Sequence, residues 1–227
     1  MGCDIHIYAE KRNNDGKWEI IGSTKKEEDG WISIDYEPYR DRNYNLFSIL
    51  ADVRNGIGFA GCKTGEGLNP ISNPKGIPSD ASEEYASLSE QWDSDGHSHS
   101  YFTLRELLDY DWTQTTQLQG WVDMVAWEKF SLYSKKDFPQ NYCGMISGNN
   151  VECISEEEAD KLFEGLSRKE RIEVAKLNTN KYALAKWTIK YSQCADYFLS
   201  DTITELLKLA GGTKGIDDIR IVFFFDN

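Results

Sequence analysis

The sequence predicts an α+β fold. Three observations carry that expectation. The first third alternates apolar and polar residues, helical stripes cluster in the middle, and the chain closes on Ile219-Arg-Ile-Val-Phe-Phe-Phe225, apolar on both faces except at Arg220. An antiparallel sheet satisfies all three: an N-terminal meander plus C-terminal strands, with helices packed on one face. The 227 residues allow one large domain or two small ones. We read one domain, 1–227, with a peripheral helical insertion at 155–178.

Taken in order, Ile5, Ile7 and Ala9 alternate with Asp4, His6 and Tyr8, which makes Cys3–Lys11 a strand. Asn13-Asn14-Asp15-Gly16 is a turn cluster, and Trp18–Ile21 is the returning strand. Trp31–Tyr36 alternates again. Tyr44–Val53 is the first helix, with Leu46, Phe47, Leu50 and Val53 on one stripe. Residues 55–78 hold six glycines and three prolines, too long a loop for a compact domain unless it has work to do. It lacks the P-loop spacing, so a lid or a surface loop is expected there.

Asp80-Ala-Ser-Glu83 has capping-box character and starts a helix to about Trp92. Thr103-Leu-Arg-Glu106 is a cleaner box, opening a helix over 104–110 directly after His97-Ser98-His99-Ser100. A further helix is predicted over 119–133. Ser155-Glu-Glu-Glu158 and Ser167-Arg-Lys-Glu170 cap two short helices ending near Leu177. Tyr182–Ser192 alternates as a strand, Thr202-Ile-Thr-Glu205 opens a helix stopped at Gly211-Gly212, and the apolar run 219–225 is a covered central strand.

Lys plus Arg number 25 and Asp plus Glu 38, a formal charge of −13. Such a chain is a poor partner for a nucleic-acid polymer or an anionic membrane surface. No apolar run approaches the ~20 residues that span a bilayer. Five cysteines, odd in number, widely spaced and without a CxxC, read as reduced thiols rather than a disulfide framework or a cysteine zinc site.

Only three histidines exist, and this scarcity makes their placement informative. On a strand, residues two apart share a face, so Asp4 and His6 point together, and so do His97 and His99 if that segment is extended. Two such pairs meeting across the fold would bring together three imidazoles and a carboxylate. That set suits a divalent metal, or acid–base chemistry near neutral pH without one. The plain alternative is a half-exposed polar strand face and solvated loop histidines. His6, His97, His99 and Asp4 are the candidate catalytic residues. Asn43 and Arg54 are candidate ligand contacts, and Tyr101 and Trp112 are candidate stacking residues, with ordinary core packing as their alternative.

The N-terminal half carries a resemblance. Met1-Gly2-Cys3-Asp4-Ile5-His6, Asn43-Tyr-Asn-Leu-Phe-Ser-Ile-Leu-Ala-Asp-Val-Arg-Asn55, and His97-Ser-His-Ser100 with Thr103-Leu-Arg-Glu106-Leu resemble a family of bacteriophage and prophage accessory proteins that open with Met-Gly-Cys-Asp-Ile-His. That family brings no assigned activity. The resemblance implies a phage accessory protein in the bacterial host cytoplasm, where such proteins often counter host defence, including by cleaving or sequestering nucleotide immune signals. A weaker echo is of the metal-dependent PHP phosphoesterases, whose opening Asp-x-His-x-His is departed from at Tyr8. Another is of the two-histidine phosphodiesterases, matched in part at His99-Ser100.

The resulting expectation is a phosphodiester hydrolase acting on a small nucleotide-type signal through a His/Asp cluster. One alternative is a sponge that binds the same ligand without turnover. A second is an inhibitor that binds a host protein through its acidic surface. Divalent metal and homo-oligomerisation are both left open by the sequence.

Overall fold

The structure, a computed structural model, describes residues 2–28, 30–132, 135 and 138–227. The first half of the chain forms β1 (Asp4–Arg12), β2 (Trp18–Ile20), β3 (Thr24–Lys26), β4 (Ile32–Ile34), α1 (Tyr44–Ala51), α2 (Glu83–Gln91), β5 (His97–Thr103) and α3 (Leu104–Asp109). The second half forms β6 (Thr115–Asp123), α4 (Met124–Leu132), β7 (Glu152–Ile154), α5 (Glu156–Lys161), α6 (Arg168–Leu177), β8 (Lys181–Lys190), α7 (Tyr191–Cys194), α8 (Thr204–Leu209) and β9 (Ile219–Asp226). The fold is α+β. The chain divides into two compact units: Met1–Asn55 with Asn69–Trp112 and Ser192–Asn227, and Gly56–Leu68 with Thr113–Tyr191. No helix among the described residues is long and apolar enough to cross a membrane.

The first unit is built on an antiparallel sheet of order β2-β1-β9-β5. The period of two sorts β1 and β9 between two cores. Ile5, Ile7 and Ala9 join Ile219, Ile221, Phe223 and Phe225 on one face, covered by α1, α3 and α8. Tyr8, Val222 and Phe224 lie on the other, covered by Tyr85 and Leu88 of α2 and Ile34 of β4. Both faces of β9 are therefore covered, which is why its sequence is apolar throughout. The third strand expected in the meander pairs instead with β3, as a separate two-stranded ribbon.

On the α2 face sits one buried charge pair. Glu10 and Arg220, opposite each other in the β1–β9 register, are 0% and 3% exposed, with Arg220 Nε donating to Glu10 Oε2 at 2.6 Å. The pair is completed from outside the sheet. Arg220 Nη1 donates to Asp80 Oδ1 at 2.8 Å and Nη2 to the Asp80 carbonyl at 3.1 Å, while Glu10 Oε1 accepts from the Ser82 amide at 2.7 Å. The guanidinium lies 4.1 Å over the Trp18 ring, and Trp18 Nε1 donates to Asp80 Oδ2 at 3.1 Å. Asp80 is thus committed to Arg220 and Trp18, so the cap of α2 falls to Ser82, which accepts from the Tyr85 amide at 3.3 Å.

The second unit carries the sheet β6-β8-β7, with β6 antiparallel and β7 parallel to β8. The helix expected over 119–133 is here corrected. Residues 115–123 alternate buried and partly exposed positions, the mark of a strand, and the helix starts only at Met124; Tyr133 lies outside the described residues. Residues 155–178, expected as a peripheral insertion, contribute Ala159, Phe163 and Ala175 to this unit's core beside Trp127 and Trp187. Both capping boxes there, at Ser155 and Ser167, are formed. The glycine-rich stretch is no lid over 63–67: Thr64 O accepts from the Gln119 amide at 2.8 Å and the Glu66 amide donates to Gln117 O at 3.0 Å. A Cβ on Gly65 would lie 2.5 Å from Gln117 O, so only glycine lets this segment lie against β6.

Two stability predictions follow from the first unit. Arg220→Met leaves Glu10 charged and unpaired in the core and should cost about 3–5 kcal/mol, much of it recovered in the Glu10→Leu/Arg220→Met double variant. Ile5→Ala should cost about 2–5 kcal/mol through a core cavity. Urea unfolding of each variant provides the comparison; a nearly neutral Arg220→Met would show that the pair does not secure the fold.

Candidate functional site

The three histidines lie at one end of the first unit's sheet, His6 on β1 and His97 and His99 on β5, with β9 between them. β1 enters there with Asp4 and His6, β9 leaves with Phe224, Phe225 and Asp226, and β5 begins with His97. The register sets Asp4 opposite Asp226 and His6 opposite Phe224. On β5 the pairing shifts between His97 and Ser100, and Ser98 has a left-handed φ of 51°. Three residues of β5 therefore span two of β9, a β-bulge. It places His97 opposite Phe225 and stacks His99 on Phe224, ring centroids 5.2 Å apart. The expectation that His97 and His99 share a strand face is corrected by that bulge.

His6 Nε2 lies 3.4 Å from Asp226 Oδ2, within ion-pair distance but without hydrogen-bond geometry. Its ring stacks on Phe224 at 4.9 Å and meets Trp92 at 4.4 Å. Asp226 Oδ1 accepts from the Asp4 amide at 3.2 Å, which aims the other carboxylate oxygen at His6. His97 Nε2 is 2.9 Å from Asn227 Nδ2, and Nδ1 is 3.0 Å from Ser98 Oγ. Arg54 Nη2 donates to Asn227 Oδ1 at 3.2 Å and to the Gly2 carbonyl at 3.2 Å. The guanidinium fixes which end of the Asn227 amide is oxygen. The amide nitrogen then faces His97 and requires a lone pair on Nε2, so the His97 proton sits on Nδ1.

The electrostatics fit a neutral pair of imidazoles. Burial holds His97 below the ordinary imidazole range, with Asp226 opposing and Arg54 adding to the shift. Burial and then His97 lower His99. The hydrogen bond from Arg42 holds Asp4 below the usual carboxylate range, with Arg42 Nε donating to Oδ1 at 2.7 Å and Nη2 paired to Oδ2. Burial raises the Cys3 thiol.

The other expected contacts lie elsewhere. Asn43 is the α1 cap, its Oδ1 accepting from Leu46 at 3.1 Å and its Nδ2 donating to Cys194 O at 2.7 Å. Tyr101 is covered by Lys75 at 4.9 Å and Arg220 at 5.7 Å. Trp112 donates to Leu107 O at 2.8 Å and packs against Tyr110 and Phe198. These three make the structural contacts just described, whereas Arg54 reaches the histidine end. Among the described residues no group of three or more His, Cys, Asp or Glu is placed to hold a metal ion. The bulge separates His97 from His99, and Asp4 is committed to Arg42.

Three participants were missed from sequence. Asp226 and Asn227 follow the apolar run directly, a polar pair ending a covered strand, and that contrast was the available signal. Trp92 covers His6 and meets Trp31, itself 39% exposed, at 6.0 Å. Around Phe224, the ring nitrogens His6 Nε2, His99 Nε2 and Trp92 Nε1 are buried without a hydrogen-bond partner among the described residues. Such orphans point to water or a ligand. The chain matches no protein-family model, no curated protein and no solved structure.

The lowered histidines predict a pH dependence. Their folded-state values lie below the ordinary 6.5, so on acidification the unfolded chain takes up protons first. Their contribution to stability is full above about 6.5 and declines as the pH falls through the folded-state values. Thermal melts at about pH 7.5 and about pH 5.5 should differ less for His99→Gln than for the wild type; an unchanged gap would mean His99 is not held neutral.

Proposed function

We propose that this end of the sheet is an acid–base centre that hydrolyses a phosphodiester bond in a small nucleotide-type molecule. The observation that supports this best is that two imidazoles in unlike surroundings, His6 and His97, both lie near the Asp226 carboxylate. His6 Nε2 lies 3.4 Å from Asp226 Oδ2, while burial holds His97 below the ordinary imidazole range and its Nε2 lone pair faces the Asn227 amide. Environments that differ in this way divide acid and base roles between two similar groups.

In this reading His97 Nε2 takes the proton of the attacking water, at the position its Asn227 partner now fills. His6 gives a proton to the leaving oxygen, and Asp226 orients it. Arg54 contributes positive charge to the phosphoryl oxygens. Trp92 and Trp31 form an aromatic wall on the same face as His6, where a base would stack for about 1–3 kcal/mol. The overall charge of −13 disfavours a long polyanion and leaves a small ligand as the better substrate. The resemblance of the N-terminal half to phage accessory proteins makes nucleotide immune signals the first class to try.

One observation favours the sponge over the hydrolase. His6 Nε2 and His99 Nε2 are buried, and Trp92 and Asp226 lie against His6, so a ligand must displace one of them to reach His6 Nε2. Sequestration needs no proton transfer at those atoms.

The test uses a panel of cyclic and ADP-ribose-type nucleotides, with and without divalent metal. Turnover is expected, falling about 10²–10⁴-fold in His6→Gln and Asp226→Asn with little change in melting temperature. Ligand that is bound but recovered intact after denaturation supports sequestration. No cleavage and no thermal shift with any nucleotide would reject both and favour a host-protein partner.

A further inference from the structure

The outer edge of β6 in the second unit is covered by two separate stretches of chain. Gly65 pairs with Leu118 and Cys143 pairs with Trp121, both antiparallel, while β8 holds the opposite edge. Trp121 and Cys143 exchange two backbone hydrogen bonds, at 2.8 and 2.9 Å. The two stretches run along β6 one after the other, and a cysteine stands at the junction on each side. Cys62 follows the short turn Phe59–Gly61, its amide donating to Phe59 O at 3.3 Å. A Cβ on Gly144, next to Cys143, would lie 3.2 Å from Cys62 Cβ and 3.8 Å from its Sγ. The bare backbone beside Cys143 is what admits Cys62.

Both cysteines are free and partly exposed, in contrast to Cys3 and Cys194, which are buried. Burial, Asp123 and Cys62, in that order, raise the Cys143 thiol. Cys143 Sγ now donates to Trp121 O at 3.6 Å and must turn from it to meet Cys62.

We propose that Cys62 and Cys143 are a reversible dithiol–disulfide pair that exchanges with low-molecular-weight disulfides such as oxidised glutathione. One cysteine thiolate attacks a glutathione sulfur, breaking its S–S bond and releasing one glutathione thiolate. The second cysteine thiolate attacks the mixed disulfide and releases the other. Two protein thiols are oxidised, one glutathione disulfide is reduced, and the two thiol protons end on the two released glutathiones. The bond closes the loop from 62 to 143 and staples the two edge stretches to each other, holding residues 56–68 against β6. The raised Cys143 thiol makes exchange slow near neutral pH and faster as the pH rises.

The experiment equilibrates the reduced full chain with graded ratios of oxidised to reduced glutathione, quenches with acid, and maps the cysteines by mass spectrometry. A peptide linking Cys62 to Cys143, lighter by two hydrogens than the reduced pair and restored by dithiothreitol, is the expected result. Proteolysis within 56–68 should slow on oxidation. In Cys143→Ser, Cys62 should stop at the glutathione adduct, while Cys153→Ser should leave the linkage intact. Glutathione carried separately on Cys62 and Cys143 in the wild type, or a link from either to Cys153, would overturn the proposal.

Discussion

The Glu10–Arg220 pair is the constraint on which the first unit's arrangement depends. Two charges removed from water are tolerable only when each is matched and its remaining hydrogen-bonding groups are satisfied. Here the match requires β1 and β9 to be in register and requires Asp80 and Ser82 to arrive from outside the sheet. A slip of one residue would turn Arg220 toward the opposite apolar core and leave Glu10 alone. The pair therefore fixes three things together: the central register, the seat of Trp18, and the point from which α2 starts across the sheet. Since Trp92 stands at the far end of α2, the position of the aromatic cover over His6 descends from the same pair.

That register also explains why a site forms at the other end. Along the α2 face, Glu10 faces Arg220, Tyr8 faces Val222, His6 faces Phe224, and Asp4 faces Asp226. The middle of this ladder is apolar and the two ends are polar. At one end opposite charges neutralise each other. At the other, two carboxylates meet, and the surrounding chain supplies the balance: Arg42 to Asp4, and His6 beside Asp226. Paired acids across a sheet are unfavourable without such partners. The polarity of the histidine end is thus a consequence of which residues the register brings opposite each other.

The fold class and most helices were legible because their signals are local. Capping boxes at Thr103, Ser155 and Ser167 lie within four residues, and period-two burial in β1 and β9 needs only the strand itself. β6 was misread because its polar alternation runs straight into the apolar positions of α4, and the combined stretch passes for a helical stripe. β3 is wholly exposed and β7 is three residues long, so neither carries a burial pattern. Of the site, the histidines were visible through their scarcity. Asp226, 222 residues from Asp4, was not, because register is a tertiary property. Nor was the bulge, which depends on one backbone angle at Ser98. Asn43, an asparagine directly before a helical stripe, carries the signal of the cap it forms on α1.

The contrast between the two ends of α2 bears on how a ligand would reach the histidines. At its start the helix is anchored: Ser82 caps it and also donates to Glu10, while Asp80 holds Arg220. Toward its end Gln91 ties the helix to the β4 segment, its Oε1 accepting from the Ile32 amide at 2.8 Å and its Nε2 donating to the Gly30 carbonyl at 3.1 Å, while several polar atoms turned toward the sheet lack hydrogen-bond partners. Tyr85 OH, Ser89 Oγ and Trp92 Nε1 on or beside the helix, with His6 Nε2 and His99 Nε2 beneath it, are buried without a hydrogen-bond partner among the described residues. Separating two surfaces costs least where no hydrogen bonds hold them and where water can satisfy groups the closed state leaves orphaned. Toward the sheet, the Trp92 end of α2 meets both conditions, its two Gln91 hydrogen bonds going to the β4 segment instead, and the Ser82 end meets neither. Opening would therefore begin at Trp92, which uncovers His6 and the Phe224 ring together while the Glu10–Arg220 anchor stays closed. The entry to the site and the element that secures the fold are then opposite ends of one short helix.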